Sequence, residues 1–376
     1  MATLVVGVPK EIKDNENRVS VQPDGVAELV YNGHRALVEA GAGLGSRFTD
    51  AEYAAAGADV VDSADEVFAD ADLIVKVKEP ISAEYHRFRP GQQLFTYLHL
   101  AADKPLTEFL LDKKIDSIAY ETVQTADGKL PLLTPMSEVA GRMSVQAAAR
   151  ALESPSGGAG ILLGGVPGTP AAKVTIIGGG VSGTEAAKMA LGLRAIVRVL
   201  DTNPGRLAYL SDIFGGRLDL VIPNRAVTAA YVAESDVVIG AVLVPGAKAP
   251  KLVSREMIAT MRPGSVVVDI AIDQGGCFET SRPTTHSNPT YIEEGVVHYC
   301  VANIPGAVAR TSTIALTAAT LPYLTRVAAN GIAGAASTDP ALAKGLSTLG
   351  GHLLNEPVAQ AHGLPYQDPG ELLNVT

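Results

Sequence analysis

Four polar residues stand where they could act on a small anionic molecule: Arg18 in "NENRVSVQP", Lys78 in "ADLIVKVKEP", His99 in "LFTYLHLA" and Asp273 in "VVVDIAIDQGG". Each follows or closes an apolar run that reads as a β-strand. Open α/β sheets bind ligands outside the carboxyl ends of their strands, so binding groups belong there. Singly, each has a plain alternative. A strand-end histidine is commonly a satisfied structural one, a lone Arg or Lys a solvated charge, and an Asp before Gly-Gly a turn former. Together, Arg18 and Lys78 make an anion clamp, and His99 with Asp273 a pair able to move protons. Alternation along "ADLIVKVKEP" puts Ile74, Lys76 and Lys78 on one strand face, with Lys78 nearer the carboxyl edge and Pro80 ending the strand.

A second chemical feature is a phosphate loop. In "IIGGGVSG", Gly178, Gly180 and Gly183 complete G-x-G-x-x-G between the strand "KVTII" and the helical "TEAAKMALGL". The first glycine makes the tight turn, the second lets the backbone approach a pyrophosphate, and the third lets helix and strand pack closely. The free N–H groups of the helix N-terminus then face the phosphates. Asp201 closes "AIVRVLD" 23 residues after Gly178. An acid there accepts from ribose hydroxyls and repels a 2′-phosphate, which selects NAD over NADP. A rival stretch, "EAGAGLGS", nearly repeats the motif, and Asp62 even lies 21 residues after Gly41. It fails because Ser46 occupies the third glycine position and the next helix cap, Thr49-Asp50, comes too late. It is expected to be a turn without a dinucleotide.

The elements that must carry these residues alternate between short Val/Ile-rich runs and helical patterns, the mark of parallel sheets covered by helices. Strands are expected at "TLVVGV", "RALVEA", "ADLIVKV", "QQLFTYL" and "SIAYETV", with helices after Pro23 and over "ADKPLTEFLLDKK". "TPMSEVAGRMSVQAAARALE" reads as one long helix with Thr134 as N-cap and Pro135 as its first residue. The glycine-rich "SGGAGILLGGVPGTPAA" could be a linker, yet its apolar centre suggests packing. A second series follows at "KVTIIG", "AIVRVLD", "DLVI", "DVVIGAV", "SVVVDIAI" and "VVHYCVA", after which only helical patterns are read, with Gly331 stopping a long one. The expected architecture is therefore α/β: two Rossmann-like, doubly wound parallel-sheet domains with a cleft between them, linked by long helices. The substrate domain is discontinuous, residues 1–131 plus 309–376, and residues 132–308 form the NAD-binding domain.

Composition narrows the class. The 376 residues are 47% hydrophobic and 19% charged, with a net charge of −10. That balance disfavours nucleic-acid binding, which concentrates Lys and Arg. Cys277 and Cys300 form no metal-type Cys-x-x-Cys pair, and two thiols make no disulfide framework, so a reducing cytoplasm is the expected compartment. "MATLVVGVPKE" lacks the basic start of a signal peptide. The most apolar region, residues 157–183, is broken by Pro167, Pro170 and Lys173, whereas a bilayer helix needs about 20 apolar residues. No membrane partner is expected.

At the same residues the chain resembles a known family, the alanine dehydrogenases. The motifs that carry the likeness are "NRV" at 17–19, "KVKEP" at 76–80, "FTYLHLA" at 95–101, "AYETVQ" at 119–124 and "LTPMSEVAGR" at 133–142. Further on they are "GAVLVPGAKAPKLV" at 240–253, "VVDIAIDQGGCFETSRPTTH" at 267–286 and "ANIPGAV" at 302–308. The resemblance implies that Arg18 and Lys78 bind a substrate carboxylate and that His99 and Asp273 are the catalytic pair, with the general base left open between them. It implies an NAD site lined by Ser137, Val181, Ser182, Asp201, Arg206, Val242, Leu243, Ile270, Ala271, Ile272, Asp273, Arg282, Val301, Ala302, Asn303 and Ile304. It implies L-alanine, pyruvate and ammonia as substrates, and a homohexamer. Two departures stand out. Ala309 replaces the proline expected after "NIPGAV", which would loosen that loop. Arg326 and Asn330 are poor ligands where some members are thought to hold a metal, so none is expected. Three rivals are an NAD-binding transhydrogenase subunit, a non-catalytic NAD-binding module, and an amino-acid dehydrogenase with a larger substrate.

Overall fold

The computed structural model describes residues 3–242 and 249–373. The chain divides into two compact units, Met1–Met136 with Val308–Thr376 and Ser137–Ala307. In chain order the first unit contributes β1 (Val5–Val8), β2 (Arg35–Glu39), β3 (Asp59–Val61), β4 (Leu73–Val75), β5 (Gln93–Thr96) and β6 (Asp116–Ala119). The second contributes β7 (Lys173–Ile177), β8 (Ile196–Leu200), β9 (Asp219–Val221), β10 (Val237–Gly240), β11 (Val266–Asp269), β12 (Thr290–Glu293) and β13 (Val296–Tyr299). The chain then returns to the first unit with β14 (Leu346–Leu349) and β15 (His352–Leu353).

The first sheet runs β15-β14-β6-β5-β4-β1-β2-β3, and β1 to β6 pair in parallel. Its parallel part has the 3-2-1-4-5-6 order of a doubly wound sheet, with the switch point between β1 and β4. The second sheet runs β12-β13-β11-β10-β7-β8-β9, parallel except for β12 at its edge, and switches between β7 and β10. Strands covered by helices on both faces need apolar residues on both faces. The near-continuous runs "VVIG" and "VVVD" of β10 and β11 are buried at every position. Helix Val181–Gly192 lays Ala186, Ala187 and Ala190 into the same core as Val174 and Ile176.

Several expectations are corrected. The tail is not purely helical: β14 joins β6 antiparallel, and Ser117 and Thr348 share a buried hydroxyl contact at 2.6 Å. β3 and β12 are edge strands of half-polar sequence, too weakly patterned for the apolar-run criterion. The "ADLIVKVKEP" strand ends at Val75, because the Lys76 ammonium turns to buried carboxylates; a looser pairing, Lys76 N–H to Phe95 C=O at 3.2 Å, carries the chain past it. The long helix opens at Thr134, whose hydroxyl donates back to the Leu130 carbonyl at 2.9 Å instead of capping. Gly331 does break its helix, with φ of 68°, but helical structure resumes to Thr338. The glycine-rich stretch is packed: Leu163 is core, and the Ala159 N–H donates to the Gly264 carbonyl at 2.9 Å. Ala309 is the buried first residue of helix Ala309–Thr338. Alanine and proline both fit that first position, so the replacement gives no reason for a looser loop.

Candidate active site

In the first unit, Arg18 follows β1, Lys78 follows β4, His99 follows β5 and Glu121 follows β6, four neighbouring strands with a common carboxyl edge. Arg18 is 3% exposed and held by a forked pair of bonds, Nε to Glu16 Oε1 at 2.7 Å and Nη2 to Glu16 Oε2 at 2.5 Å. Burial works against the Glu16 carboxylate, but the Arg18 guanidinium outweighs it and holds its pKa down at about 2. Lys78 is 9% exposed, and among the described residues its ammonium makes no hydrogen bond or ion pair. Its charge acts on Glu16, Glu79 and His99, so clamp and imidazole share one field.

His99 takes the left-handed conformation, φ 50° and ψ 36°. A non-glycine residue there needs outside support, and such strain concentrates at working sites. Glu121 supplies the support: its Oε1 accepts from the His99 N–H at 2.6 Å, and both of its oxygens accept from the Leu98 N–H at 3.2 Å. The ring stacks beside Tyr97, and Nδ1 faces Glu79 Oε2 at 3.4 Å. Burial alone would favour the neutral ring, but Glu121 and Glu79 prevail and raise the His99 pKa. Lys76, in contrast, is clipped between Glu11 at 3.1 Å and Glu84 at 2.8 Å, fully buried and unable to meet a ligand.

In the second unit the candidate groups share the carboxyl edge of β8, β7, β10, β11 and β13. A Cβ on Gly183 would lie 1.8 Å from the Gly178 carbonyl oxygen, and one on Gly178 2.8 Å from the Ala241 oxygen and 2.9 Å from Val242. A Cβ on Gly180 would meet nothing within 4 Å. Gly180 is the N-cap of helix Val181–Gly192 and offers no side-chain bond to its N–H groups, and Val181 and Ser182 form the first turn. Asp201 accepts from the Gly179 N–H at 2.7 Å and the Asn203 N–H at 2.8 Å, which leaves one lone pair on each oxygen. Arg206 folds over the loop, bonding the Gly179 carbonyl and Thr184 Oγ1. Ser137 lies one helical turn before Gly141, whose Cα hydrogen side abuts the Ser182 carbonyl, a Cβ there falling 2.2 Å away. The open cradle, the free helix end and the acid together fit a dinucleotide with an unmodified ribose.

Past β11, Asp269 is fully buried and accepts from the Ala271 and Cys277 N–H groups and from the Ser281 hydroxyl. It shapes the turn that presents Asp273, an exposed residue in the 3-10 turn Ile272–Gln274. Ile270 is half-buried, whereas Ala271 and Ile272 are buried. Arg282 is exposed and stacks 3.8 Å over the Tyr291 ring. Val301 and Ile304 point into the core, so within "VANI" only their backbone and the half-buried Ala302 and Asn303 are open to a ligand. Leu243 lies outside the described residues. Among the described residues no His/Cys/Asp/Glu group could hold a metal. Arg326 is paired with Asp339 at 2.6 Å. Burial pushes the Cys277 thiol up to about 12 and Cys300 to about 11, as structural cysteines require.

The residues that sequence reasoning missed are Glu16, Glu79 and Glu121. All three stand at strand exits inside the quoted motifs, two residues before Arg18, one after Lys78 and two after β6. Carboxylates next to a basic clamp read as counter-charges, and the topology that aims Glu121 at His99 is not written locally.

Comparison with known proteins adds independent findings. Residues 7–140 match the model of the alanine dehydrogenase/PNT N-terminal domain, and residues 144–356 that of the C-terminal domain. An alanine dehydrogenase of Methanococcus maripaludis is 58% identical over 372 residues, covering 99% of this chain and 100% of the relative. An alanine dehydrogenase of Lysinibacillus sphaericus is 58% identical over 370 residues, 98% of this chain and 99% of the relative. A solved L-alanine dehydrogenase superposes with a TM-score of 0.92 at 52% identity, covering 96% of this chain and 99% of the other. A transhydrogenase from Sinorhizobium meliloti follows at 0.77 and 28%, covering 94% and 99%. No helix of the described residues is long and apolar enough to cross a membrane.

Proposed function

The chain belongs to the alanine dehydrogenase/PNT family, and on that premise we propose that it catalyses the NAD-dependent, reversible oxidative deamination of L-alanine to pyruvate and ammonia. The observation that carries this reading is the edge of the first unit, where a buried guanidinium and an unpaired ammonium lie in one field with a titratable imidazole. An NAD-binding subunit that acts on no amino acid has no use for that set.

In this reading the first unit is the substrate domain and the second the NAD domain. When bound, NAD supplies the acceptor for the Cα hydride. Arg18 and Lys78 hold the alanine carboxylate by charge-assisted bonds and so fix the direction in which Cα points. Positioning of that kind supplies a large part of the rate gain. Loss of hydride leaves an iminium, to which water adds, and the carbinolamine collapses to the ketone and ammonia. His99 and Asp273 carry the protons of these steps, taking one from the attacking water and giving one to the departing nitrogen. His99 is suited to this because the flanking Glu121 and Glu79 carboxylates outweigh burial and raise its pKa, which strengthens it as a proton acceptor. In the second unit Gly180, Val181 and Ser182 would meet the pyrophosphate and Asp201 the adenosine ribose. Ser137, Arg206, Val242, Leu243, Ile270–Asp273, Arg282 and the Val301–Ile304 backbone would complete the NAD site. The cytoplasm and a homohexamer belong to the same proposal.

The test is NADH formation with a panel of L-amino acids, and NADH oxidation with pyruvate or glyoxylate plus ammonium. Alanine should turn over, and its failure to do so sinks the reading. His99→Ala and Asp273→Ala should each lower kcat by at least about 100-fold, the usual share of general acid–base catalysis, and in His99→Ala, which lies outside the NAD site, NADH binding should stay within twofold.

A further inference from the structure

His99 is held from two sides by groups that no motif assigns, and we propose that Glu121 and Glu79 form a carboxylate clamp that positions it, Glu121 through its backbone and Glu79 through its ring. The inference deepens the proposed function, because it rests on His99 being the imidazole of that reaction.

The argument begins with the backbone. A left-handed His99 is unfavourable unless something holds the turn, and the Glu121 carboxylate takes the two successive N–H groups of Leu98 and His99. One carboxylate receiving two neighbouring backbone donors is a charge-assisted anchor that a neutral acceptor replaces only in part. Glu121 reaches this position because β6 pairs with β5 in register, Thr96 opposite Ala119, so both strand exits leave side by side.

The ring is fixed separately. Lys13 pairs with Glu79 Oε1, which leaves Oε2 for His99 Nδ1. With Nδ1 donating to a carboxylate, Nε2 is the nitrogen left to exchange a proton with substrate, and it makes no hydrogen bond among the described residues. The charged groups that face the ring are Glu79 and Lys78 beyond β4 and Glu121 beyond β6, while Tyr97 stacks on it from its own strand. Two anions against one cation leave a net bias towards imidazolium. His99 then accepts a proton during alanine oxidation and still returns it during amination.

The test is NMR titration of the His99 ring in the full chain, assigned by loss of its signal in His99→Gln, together with pH profiles of kcat. Glu121→Gln keeps an acceptor oxygen but loses the charge. Its His99 pKa should fall by about one unit, with kcat for alanine down at least tenfold and the KM for NAD unchanged. The low-pH limb of alanine oxidation, where the base becomes protonated, should move down by the same interval. Glu79→Gln leaves the backbone anchor intact, so it tests the ring contact even if Glu121→Gln folds poorly; the same direction of shift is expected. An unmoved His99 titration in both variants overturns the clamp, whatever happens to activity. Wild-type protein that fails to oxidise alanine would sink the functional reading, while the ring titration would still decide the clamp.

Discussion

Two glycine-rich loops in this chain have nearly the same letters and opposite surroundings. "GGGVSG" leaves β7, the central strand beside the switch point of its sheet, and runs directly into helix Val181–Gly192. "GAGLGS" leaves β2, one strand further out, and closes into a 3-10 turn at Leu44–Ser46 before helix Asp50–Ala55 begins. The space in front of the second loop is full. Ser46 Oγ donates to the Asn17 carbonyl at 2.9 Å and meets Thr313 Oγ1 at 2.7 Å, and Arg310 donates to the Ser46 carbonyl. Helix Asp50–Ala55 satisfies its own first turn through the Thr49–Glu52 capping box, whereas Gly180 leaves the N–H groups of its helix free. A loop becomes a phosphate site through what is left unsatisfied, not through its glycines.

The largest effect should come from closing the space in the open loop. Gly183→Ala puts a methyl 1.8 Å from the Gly178 oxygen, a backbone atom that cannot step aside. Overpacking of that severity costs about 3 kcal/mol or more, and NADH affinity measured by fluorescence titration should fall at least about 100-fold. Gly180→Ala is the sharper probe, because its methyl meets nothing and its φ of −63° suits any residue. The melting temperature should stay put while NADH binding weakens by about tenfold, the loss of one close contact. Unchanged NADH affinity in Gly180→Ala would mean that the pyrophosphate lies elsewhere.

Gly45→Ala asks the same question of the filled loop. Its methyl would stand 2.7 Å from the Asn17 oxygen and 2.8 Å from the Asn17 Cβ, and Asn17 is bonded to Arg18. The displacement should cost about 1–3 kcal/mol and raise the KM for alanine while NADH binding is untouched. If NADH binding fell instead, the division of labour between the loops would be wrong.

The same contrast explains what the sequence could and could not reveal. The period of the apolar runs was enough for the parallel strands of both sheets except the edge strand β3, and the third glycine with an immediate helix start, not the spacing to an acid, separated the loop at Gly178 from its rival. Arg18, Lys78 and His99 were legible as strand-end polar residues, and the structure brings them to one edge of the first unit. Glu121 was not, because its partner is set by the pairing of β5 with β6, 22 residues apart in the case of His99. β14 was hidden for the same reason: "LSTL" is too short to announce itself, and its place is fixed by an antiparallel partner, β6, more than 200 residues earlier; "HL" of β15 is shorter still and only pairs back on β14. Lys76 was set below Lys78 only by its place along the run; the buried carboxylates that claim its ammonium were not legible there.

The smallest expected effect tests the claim at its quietest point. Thr49→Ala removes the hydroxyl that accepts from the Glu52 N–H and leaves Glu52 without its hydroxyl partner. Loss of such a cap costs about 1 kcal/mol, a fall of about 2–4 °C in melting temperature for a unit of this size. The freed Glu52 N–H would resemble those at Val181, but the Asn17 segment and Thr313 still fill the loop before it. Thr49→Ala should therefore gain no affinity for NADH or inorganic phosphate, and both the KM for alanine and that for NAD should hold within twofold. A new phosphate site in this variant would show that the cap alone, and not the filled space, keeps the first unit from binding a dinucleotide.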